Sequence, residues 1–310
     1  MTDQRAADIA RRHAPYRGRF APSPTGPLHF GSLVAAVGSY LQARANHGAW
    51  LVRMEDLDPP REIPGAADDI LRTLERFGLQ WDESVVYQSQ RYAAYAAALE
   101  ALRRRAAIYP CGCSRREITD SSITGIDGPL YPGTCRDGLP AGRHPRAWRV
   151  CTDSTLITFD DVVQGVIESR LTHDTGDFVV KRADGFYAYQ LAVVVDDAAQ
   201  GITEVVRGCD LLDSSARQIH LQQLLSLPTP TYLHLPVAVN AHGEKLSKQT
   251  FAARLDLQRP VTALHAALEF LGQQPPRELR ADTLDTLWDW ARTHWQPRDI
   301  PRLPTIPLSD

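Results

Sequence analysis

The sequence predicts an α/β fold with a parallel sheet, an inserted segment and a helical C-terminal region. A strand–helix–strand pattern fills residues 18–54, and apolar strands alternate with helical patterns further on. The segment 111–142 breaks this alternation, because it is rich in cysteine, glycine and proline. At 310 residues the chain exceeds one ordinary domain, so we expect one large core plus an insertion.

The first element is predicted to be a parallel βαβ unit with a right-handed crossover. Residues 18–20 end a strand, and the run Trp50–Met54 has the length of a second strand. Between them, apolar residues recur at helical spacing: Leu33, Val37, Tyr40 and Leu41. Gly48 suits the C-cap of this helix.

Further elements follow from periodicity and turn residues. Helices are predicted over 66–77, 91–105 and 214–225, and again from Pro260, a favoured first helical residue, with Leu264, Leu268 and Leu271 on one face. Strands are predicted over 147–150, 155–159, 178–180, 187–195 and 233–239. The run Val193–Val195 reads as a buried strand that ends in the polar pair Asp196 and Asp197. Three prolines in 301–310 predict a loose tail.

Composition restricts the class of protein. A hydrophobic fraction of 43% and a charged fraction of 23% are those of a globular protein, and no stretch approaches the roughly 20 apolar residues that cross a bilayer. A formal charge of −3 argues against a general polyanion binder, so any nucleic-acid contact needs a local basic patch. Without a secretion signal and with five cysteines, an odd number, we expect a cytoplasmic monomer without disulfides and without membrane contact.

The segment His29-Phe30-Gly31-Ser32 stands at the predicted start of the first helix. A helix N-terminus has unpaired amide donors and a positive dipole end, so it can hold phosphates. Gly31 would let a nucleotide approach the backbone, and His29 can donate to phosphate oxygens. The alternative is an ordinary turn with an exposed histidine, and this segment alone leaves both open.

A second segment, Lys245-Leu246-Ser247-Lys248-Gln249, follows Gly243 in a predicted loop. Lysine is a mobile point charge, which suits a triphosphate whose α-phosphorus is attacked. Two lysines in a loop are usually only solvated. The joint occurrence of both segments therefore carries the prediction of one triphosphate site.

Together these segments resemble the two motifs of the class I aminoacyl-tRNA synthetases, named HIGH and KMSKS. The lead-in Arg19-Phe20-Ala21-Pro22-Ser23-Pro24-Thr25-Gly26 is similar to that of the glutamyl branch. The resemblance covers about residues 17–255, although Ser32 and Leu246 depart from the motif names. It implies a class I synthetase Rossmann-type parallel sheet with an inserted, zinc-containing domain like an acceptor-binding domain.

The resemblance also implies four ranges and the site residues. The ranges are the first half of the catalytic domain at 1–108, the insertion at 109–185, the second half at 186–240, and the lysine loop with a helical stem-contacting region at 241–310. The catalytic residues would be His29, Lys245 and Lys248, and ATP would also contact Gly31, Ser32 and Ser247. Mg²⁺ would accompany ATP.

Glutamate would need a charge partner for each carboxylate and an acceptor for its ammonium. Arg19 and Arg207 can offer bidentate forks, Glu55 can hold the ammonium, and Tyr189 can add a hydroxyl. The implied glutamate pocket is Arg19, Phe20, Ala21, Pro22, Ser23, Glu55, Tyr189 and Arg207. In the implied mechanism, the side of the pocket formed by Arg19 and Glu55 holds the α-carboxylate of glutamate. The alternative is a set of ordinary ion pairs.

Three thiols within 25 residues, Cys111, Cys113 and Cys135, fit a structural zinc site in a segment with few apolar residues. By chemistry alone His144 is the commonest kind of fourth ligand, whereas the resemblance implies Tyr131. Free thiols without metal are the alternative, and Cys151 and Cys209 are expected to be small core residues. Flanking arginines could meet a phosphate backbone or simply face solvent: Arg103, Arg104, Arg105, Arg115, Arg116, Arg136 and Arg143.

Only about 60 residues follow Lys248, whereas glutamyl-tRNA synthetases continue into a helical domain that reads the anticodon. The shortened form resembles the glutamyl-queuosine tRNA(Asp) synthetases, which activate glutamate with ATP and pass it to the queuosine base in the anticodon loop of tRNA(Asp). Two alternatives are a truncated glutamyl-tRNA synthetase that charges a tRNA 3′ end and a non-catalytic tRNA-binding paralogue.

Overall fold

The structure, a computed structural model, describes residues 15–121, 124–126, 128–240, 243–244 and 254–308. Its helices are α1 (Phe30–Ala45), α2 (Ala66–Arg76), α3 (Tyr92–Arg104), α4 (Arg115–Ser121), α5 (Leu171–Asp174), α6 (Tyr189–Ala199), α7 (Leu212–Leu225), α8 (Pro260–Phe270) and α9 (Leu284–His294). Its strands are β1 (Arg17–Phe20), β2 (Ala49–Met54), β3 (Val86–Tyr87), β4 (Ile108–Cys111), β5 (Thr124–Gly125), β6 (Gly128–Pro129), β7 (Ala147–Val150), β8 (Leu156–Asp161), β9 (Gly165–Arg170), β10 (Val179–Lys181), β11 (Glu204–Gly208), β12 (Thr231–Leu235), β13 (Val237–Val239) and β14 (Thr305–Pro307).

Two mainly parallel sheets form the centre of the molecule. One has the order β1-β2-β3, and the other has the order β11-β12-β8-β9, parallel except for the β8–β9 hairpin. The amide of Thr203 donates to Arg17 O at 2.9 Å, and the amide of Arg17 donates to Thr203 Oγ1 at 2.9 Å. Because β1 and β11 both begin at this contact, their carboxyl ends lie at the same edge, where ligands of such sheets bind.

The predicted βαβ unit is confirmed. Helix α1 is buried on almost all sides. The ring centroid of Trp50 in β2 lies 6.3 Å from that of Phe20 in β1 and 5.2 Å from that of Tyr40 in α1. Gly48 takes part in the C-terminal cap of α1, as predicted, because its amide donates to Ala43 O at 2.9 Å. The left-handed residue of that cap is His47, whose φ is 52°. Gly48 also permits a close approach, since a Cβ there would lie 2.3 Å from Tyr16 O.

The prediction of a strand over 187–195 is wrong, because the chain forms α6 from Tyr189 onward. Valines favour strands, and this helix is buried on successive residues, so it shows no amphipathic period that the sequence could reveal. Asp196 and Asp197 therefore lie in the last turn of a buried helix.

The predicted strand over 233–239 divides at Pro236, which has no amide donor, into β12 and β13. The prediction of a loose tail over 301–310 is wrong for the part that the structure describes. There β14 pairs in parallel with β13, and the amide of Leu308 donates to Val239 O at 2.9 Å.

The insertion contains a separate antiparallel sheet of order β10-β7-β4 and a small cluster around the cysteines. The pairing of Tyr232 with Asp161 places β8 beside β12 of the central sheet. The four ranges proposed from the sequence stay a prediction.

The C-terminal helices pack on α1 and the elements around it, as the leucine pattern predicts. Leu264, Leu268 and Leu271 are fully buried, and Trp288 of α9 donates to Phe77 O at 2.8 Å. Among the described residues no helix has the length and apolar character that crossing a membrane requires.

Candidate active site

A cavity of about 460 Å³ opens where β1 ends and α1 begins. Its walls come from the turn after β1, the first turn of α1, the residues after β11, and β12 with β13. The lining includes Ser23, Thr25, His29, Gly31, Ser32, Gly208, Asp210, Pro236 and Val237. The predicted phosphate segment thus lies at the carboxyl edge of the sheet.

The first turn of α1 is shaped by His29. This residue is the N-cap, in an extended conformation, and its Nδ1 accepts a hydrogen bond from the Ser32 amide at 3.2 Å. Because Nδ1 is an acceptor here, the neutral ring carries its proton on Nε2. No acidic residue lies in this turn, so its amides and dipole leave a positive surface on the cavity.

The predicted catalytic and ATP-binding residues Lys245, Ser247 and Lys248 lie outside the described residues. The chain on either side of them is described. Before them, Val237 and Ala238 of β13 line the cavity. After them, Arg254 forms a bridge with His29, and the amide of Leu255 donates to Leu28 O at 3.2 Å. Both flanks of this segment therefore meet the same cavity.

A second cavity, also about 460 Å³, shares Ser23 and Thr25 with the first. Its lining includes Ala21, Glu55, Leu57, Asp58, Arg61, Glu62, Gln88, Arg182, Tyr189 and Leu211. The two cavities are thus adjacent at the turn after β1. Residues of the predicted glutamate pocket, Ala21, Ser23, Glu55 and Tyr189, line the second cavity, whereas Phe20 and Pro22 line the first.

A buried charge cluster lies beside this cavity. Asp197 accepts from Arg53 Nη1 at 2.7 Å and from Arg19 Nε at 3.1 Å. Burial alone would raise the pKa of Asp197, but these two arginines hold it below its usual value. The pKa of Glu55 is raised, because burial outweighs the attraction of Arg53 at 3.4 Å and of Arg19. A cation in the cavity would therefore stabilise the ionised form of Glu55.

Arg207, in contrast, has only uncharged partners among the described residues. Its side chain is buried, and its five N–H groups are directed to neutral acceptors: His234 Nε2 at 3.0 Å, Gln218 Oε1 at 2.9 Å, Ser215 Oγ at 2.8 Å, Tyr189 OH at 3.3 Å and Leu211 O at 3.3 Å. The two longest contacts go to Tyr189 and Leu211, which line the second cavity. A ligand carboxylate could replace these two weak bonds and neutralise Arg207.

The three predicted thiols come together. Sγ atoms of Cys111, Cys113 and Cys135 lie within 4.8 Å of one another, and Tyr131 OH lies 3.3 Å from Cys111 Sγ. His144 is exposed at the surface. Burial alone would raise the pKa of Cys111, but hydrogen bonds from Tyr131 and the Cys113 amide bring it below its usual value. This cluster can hold a metal ion.

Among the remaining cysteines, Cys209 is buried, as predicted, and Cys151 is half-buried. Several flanking arginines are engaged within the protein. Arg103 pairs with Glu100, Arg116 with Asp120, Arg136 with Asp177 and Arg143 with Glu117. A phosphate-binding role for this set stays a prediction.

Sequence reasoning did not single out several residues of the site. These are Arg53, Asp161, Ser215, Gln218 and His234. One signal was available: Arg53 interrupts the apolar run of β2, and an arginine in a buried strand needs a carboxylate. Its partner lies 144 positions away and could not be deduced from spacing.

A family model described as tRNA synthetases class I (E and Q), catalytic domain, matches residues 16–262, so the fold and site define a class I synthetase. Curated proteins named Glutamyl-Q tRNA(Asp) synthetase are similar over most of the chain. The one from Aromatoleum aromaticum is 59% identical over 93% of this chain and 91% of its own length. That from Dechloromonas aromatica is 59% identical over 96% of this chain and 99% of its own. The chain therefore belongs to the glutamyl-Q tRNA(Asp) synthetase family.

Solved structures support the fold. A glutamate–tRNA synthetase from Elizabethkingia anophelis superposes with a TM-score of 0.80 over 96% of this chain and 68% of its own, at 23% identity. A glutamate tRNA ligase from Elizabethkingia meningosepticum, solved in complex with its amino acid, also gives 0.80, over 96% of this chain and 67% of its own, at 23% identity. The class I synthetase fold expected from the sequence is confirmed.

The cap of α1 gives a first prediction. His29→Ala removes the acceptor of the Ser32 amide and should lower the free energy of unfolding by about 1 kcal/mol. His29→Asn, a favoured N-cap residue, should recover most of that loss. Denaturant unfolding of the three proteins measures the difference. Equal free energies for wild type and His29→Ala would show that the hydrogen bond does not stabilise the helix start.

Proposed function

We propose that this chain activates L-glutamate with ATP as glutamyl-adenylate and transfers the glutamyl group to the queuosine base of tRNA(Asp). One observation carries the proposal: a cavity at the N-terminus of α1 is adjacent, at Ser23 and Thr25, to a second cavity lined by Glu55 and Tyr189. Arg207 lies behind Tyr189 and Leu211 of the second cavity. Two adjacent cavities can hold a nucleotide and an amino acid side by side. The choice of tRNA(Asp) and of queuosine as the acceptor rests on the name Glutamyl-Q tRNA(Asp) synthetase, which relatives of 55–59% identity carry.

ATP would occupy the first cavity, with its phosphates at the N-terminus of α1 beside His29, Gly31 and Ser32. Mg²⁺ comes with ATP as part of that substrate. Lys245, Ser247 and Lys248 would add charge to the phosphates from the loop whose flanks meet this cavity. These site assignments remain proposals.

Glutamate would occupy the second cavity. Its ammonium would pair with Glu55, whose raised pKa reflects a buried carboxylate that a cation would stabilise. Its side-chain carboxylate would take the two donors that Arg207 directs to Tyr189 and Leu211. Its α-carboxylate then faces the turn at Ser23, toward the nucleotide, with Arg19 behind.

The reaction has two steps. An oxygen of the α-carboxylate attacks the α-phosphorus in line, the bond to the β-phosphate bridging oxygen breaks, and pyrophosphate leaves. A hydroxyl of the queuosine base then attacks the acyl carbon, its proton is lost, and AMP leaves. Alignment and neutralisation of charge are the contributions of the protein, so no nucleophilic side chain is required.

We also propose that the cysteine cluster binds one Zn²⁺ with Tyr131 as the fourth ligand. A tetrahedral site with Zn–S distances near 2.3 Å separates two sulfurs by about 3.8 Å. The Sγ atoms of Cys113 and Cys135 lie 3.6 Å apart. The hydroxyl oxygen of Tyr131 lies 3.3 Å from Cys111 Sγ and 3.6 Å from Cys113 Sγ. The zinc would hold this small cluster together and supply stability that its few apolar residues do not.

The function predicts two results from purified protein. L-glutamate should promote ATP–pyrophosphate exchange, measured with and without tRNA, because adenylate formation is reversible. Labelled glutamate should then be transferred to tRNA(Asp) that contains queuosine, and the same tRNA without queuosine should accept none.

Removal of the 3′-terminal adenosine separates this function from its rivals. We expect trimmed, queuosine-containing tRNA(Asp) to accept as much glutamate as intact tRNA. Loss of acceptance on trimming would identify a truncated glutamyl-tRNA synthetase. Absence of exchange under both conditions would favour a non-catalytic tRNA-binding protein.

The metal site predicts one zinc per chain by elemental analysis of protein purified without chelator. Cys113→Ser should lose most of this zinc, and Tyr131→Phe should weaken retention against a chelator, whereas His144→Ala should match wild type. A zinc-free wild type contradicts the site. Loss of zinc in His144→Ala with retention in Tyr131→Phe would show that His144, and not Tyr131, is the fourth ligand.

A further inference from the structure

Arg207 is held from behind by a chain of buried polar groups that the reaction itself does not use. Strand β11 carries Arg207, and its neighbour β12 carries His234 at the directly paired position. Arg207 Nε donates to His234 Nε2 at 3.0 Å, and the side chain of His234 is fully buried. The histidine therefore contacts the Nε edge of the guanidinium, whereas Tyr189, which lines the second cavity, is contacted by Nη1.

Asp161, at the end of β8, fixes the ring of His234. His234 Nδ1 donates to Asp161 Oδ2 at 2.6 Å, so Nδ1 carries the proton and Nε2 is left as an acceptor for Arg207. The Asp161 carboxylate also accepts from the amides of His234, Val163 and Gln164 at 3.1, 3.0 and 2.8 Å. These bonds fix the orientation of the carboxylate, and rotation of the ring would break the bond of Nδ1 to Asp161 and that of Nε2 to Arg207.

The ring is uncharged at neutral pH. The pKa of His234 is lowered to about 4, because burial, together with the charges of Arg207 and Arg19, outweighs the opposing effect of Asp161. Burial alone would raise the pKa of Asp161, yet the hydrogen bonds from His234 and the amides hold it below its usual value. The negative charge thus stays on Asp161, and Arg207 is met by a neutral nitrogen.

We infer that Asp161 and His234 are positioning residues, which orient Arg207 through a neutral acceptor and so leave its positive charge available to the substrate carboxylate. This inference rests on the proposed function, in which Arg207 binds the side-chain carboxylate of glutamate. A carboxylate in place of His234 would orient Arg207 equally well, but it would compete with the substrate for the same charge.

The neighbouring arginines show the contrast. Arg19 and Arg53 each form an ion pair with Asp197, at 3.1 and 2.7 Å, so each of these guanidinium groups has a carboxylate partner inside the protein. Arg207 is equally buried, but no carboxylate pairs with it in the described part of the chain. A buried guanidinium with neutral partners is costly in the free protein and gains most from a carboxylate ligand.

Two substitutions at position 234 separate orientation from packing. In His234→Asn the amide can still donate to Asp161, but nothing reaches Arg207 Nε. In His234→Gln the side-chain oxygen can take the place of Nε2. We expect His234→Asn to raise the KM for glutamate about 10- to 100-fold, the loss for a hydrogen bond to a charged group, with the KM for ATP within about twofold. His234→Gln should recover most of this loss.

His265→Asn is the matched control, since His265 is equally buried but hydrogen-bonds to Pro276 O in the C-terminal region. Ser215→Ala is a smaller change that removes another neutral acceptor of Arg207, and it should raise the KM for glutamate about three- to tenfold. If His234→Asn does not fold, the glutamate KM of Ser215→Ala tests the inference.

Glutamate-dependent ATP–pyrophosphate exchange measures both KM values. Exchange by the wild type supports the proposed function on its own, and its absence counts against that function rather than against the positioning role. With an active wild type, unchanged glutamate KM values in the folded variants overturn the inference. Equal rises of both KM values in His234→Asn and His265→Asn would do the same, because they indicate general destabilisation.

Discussion

The fold and the site both depend on how buried positive charge is balanced at the carboxyl edge of the central sheets. Arg53 is fully buried in β2, and Asp197 of α6 accepts from it and from Arg19 of β1. Removing one member of such a cluster leaves an uncompensated buried charge, at a cost of about 3–5 kcal/mol. The cluster therefore fixes β1, β2 and α6 relative to one another. It also sets the position of Glu55, which follows β2 and lines the second cavity.

The charge partners also explain why Arg207 differs in role from Arg19 and Arg53. Arg19 and Arg53 each pair with the Asp197 carboxylate, whereas Arg207 has only neutral acceptors in the described chain. A site that keeps one guanidinium unbalanced selects ligands with a carboxylate at that position. Glutamine has the shape of glutamate but lacks this charge, so the arrangement should discriminate between them by charge rather than by size.

The sequence predicted local features well and long-range ones poorly. Strong periodicity and turn residues gave α1, β2 and the C-terminal helices. Helix α6 was predicted as a strand, because a helix buried on successive residues shows valines without an amphipathic period. The contacts of Arg53 with Asp197 and of His234 with Arg207 join distant segments, and no spacing rule relates them. The thiols were recognisable because Cys111, Cys113 and Cys135 lie within 25 residues, but the position of Tyr131 relative to them needed the fold.

The central claim is that Arg207 keeps an unbalanced charge for the side chain of the bound amino acid. Titration calorimetry with L-glutamate and with L-glutamine, in the presence of a non-hydrolysable ATP analogue, tests this most directly. Glutamate should bind, and glutamine should bind at least about 100-fold more weakly, as expected when a buried charge loses its partner. Equal affinities for the two amino acids would contradict it.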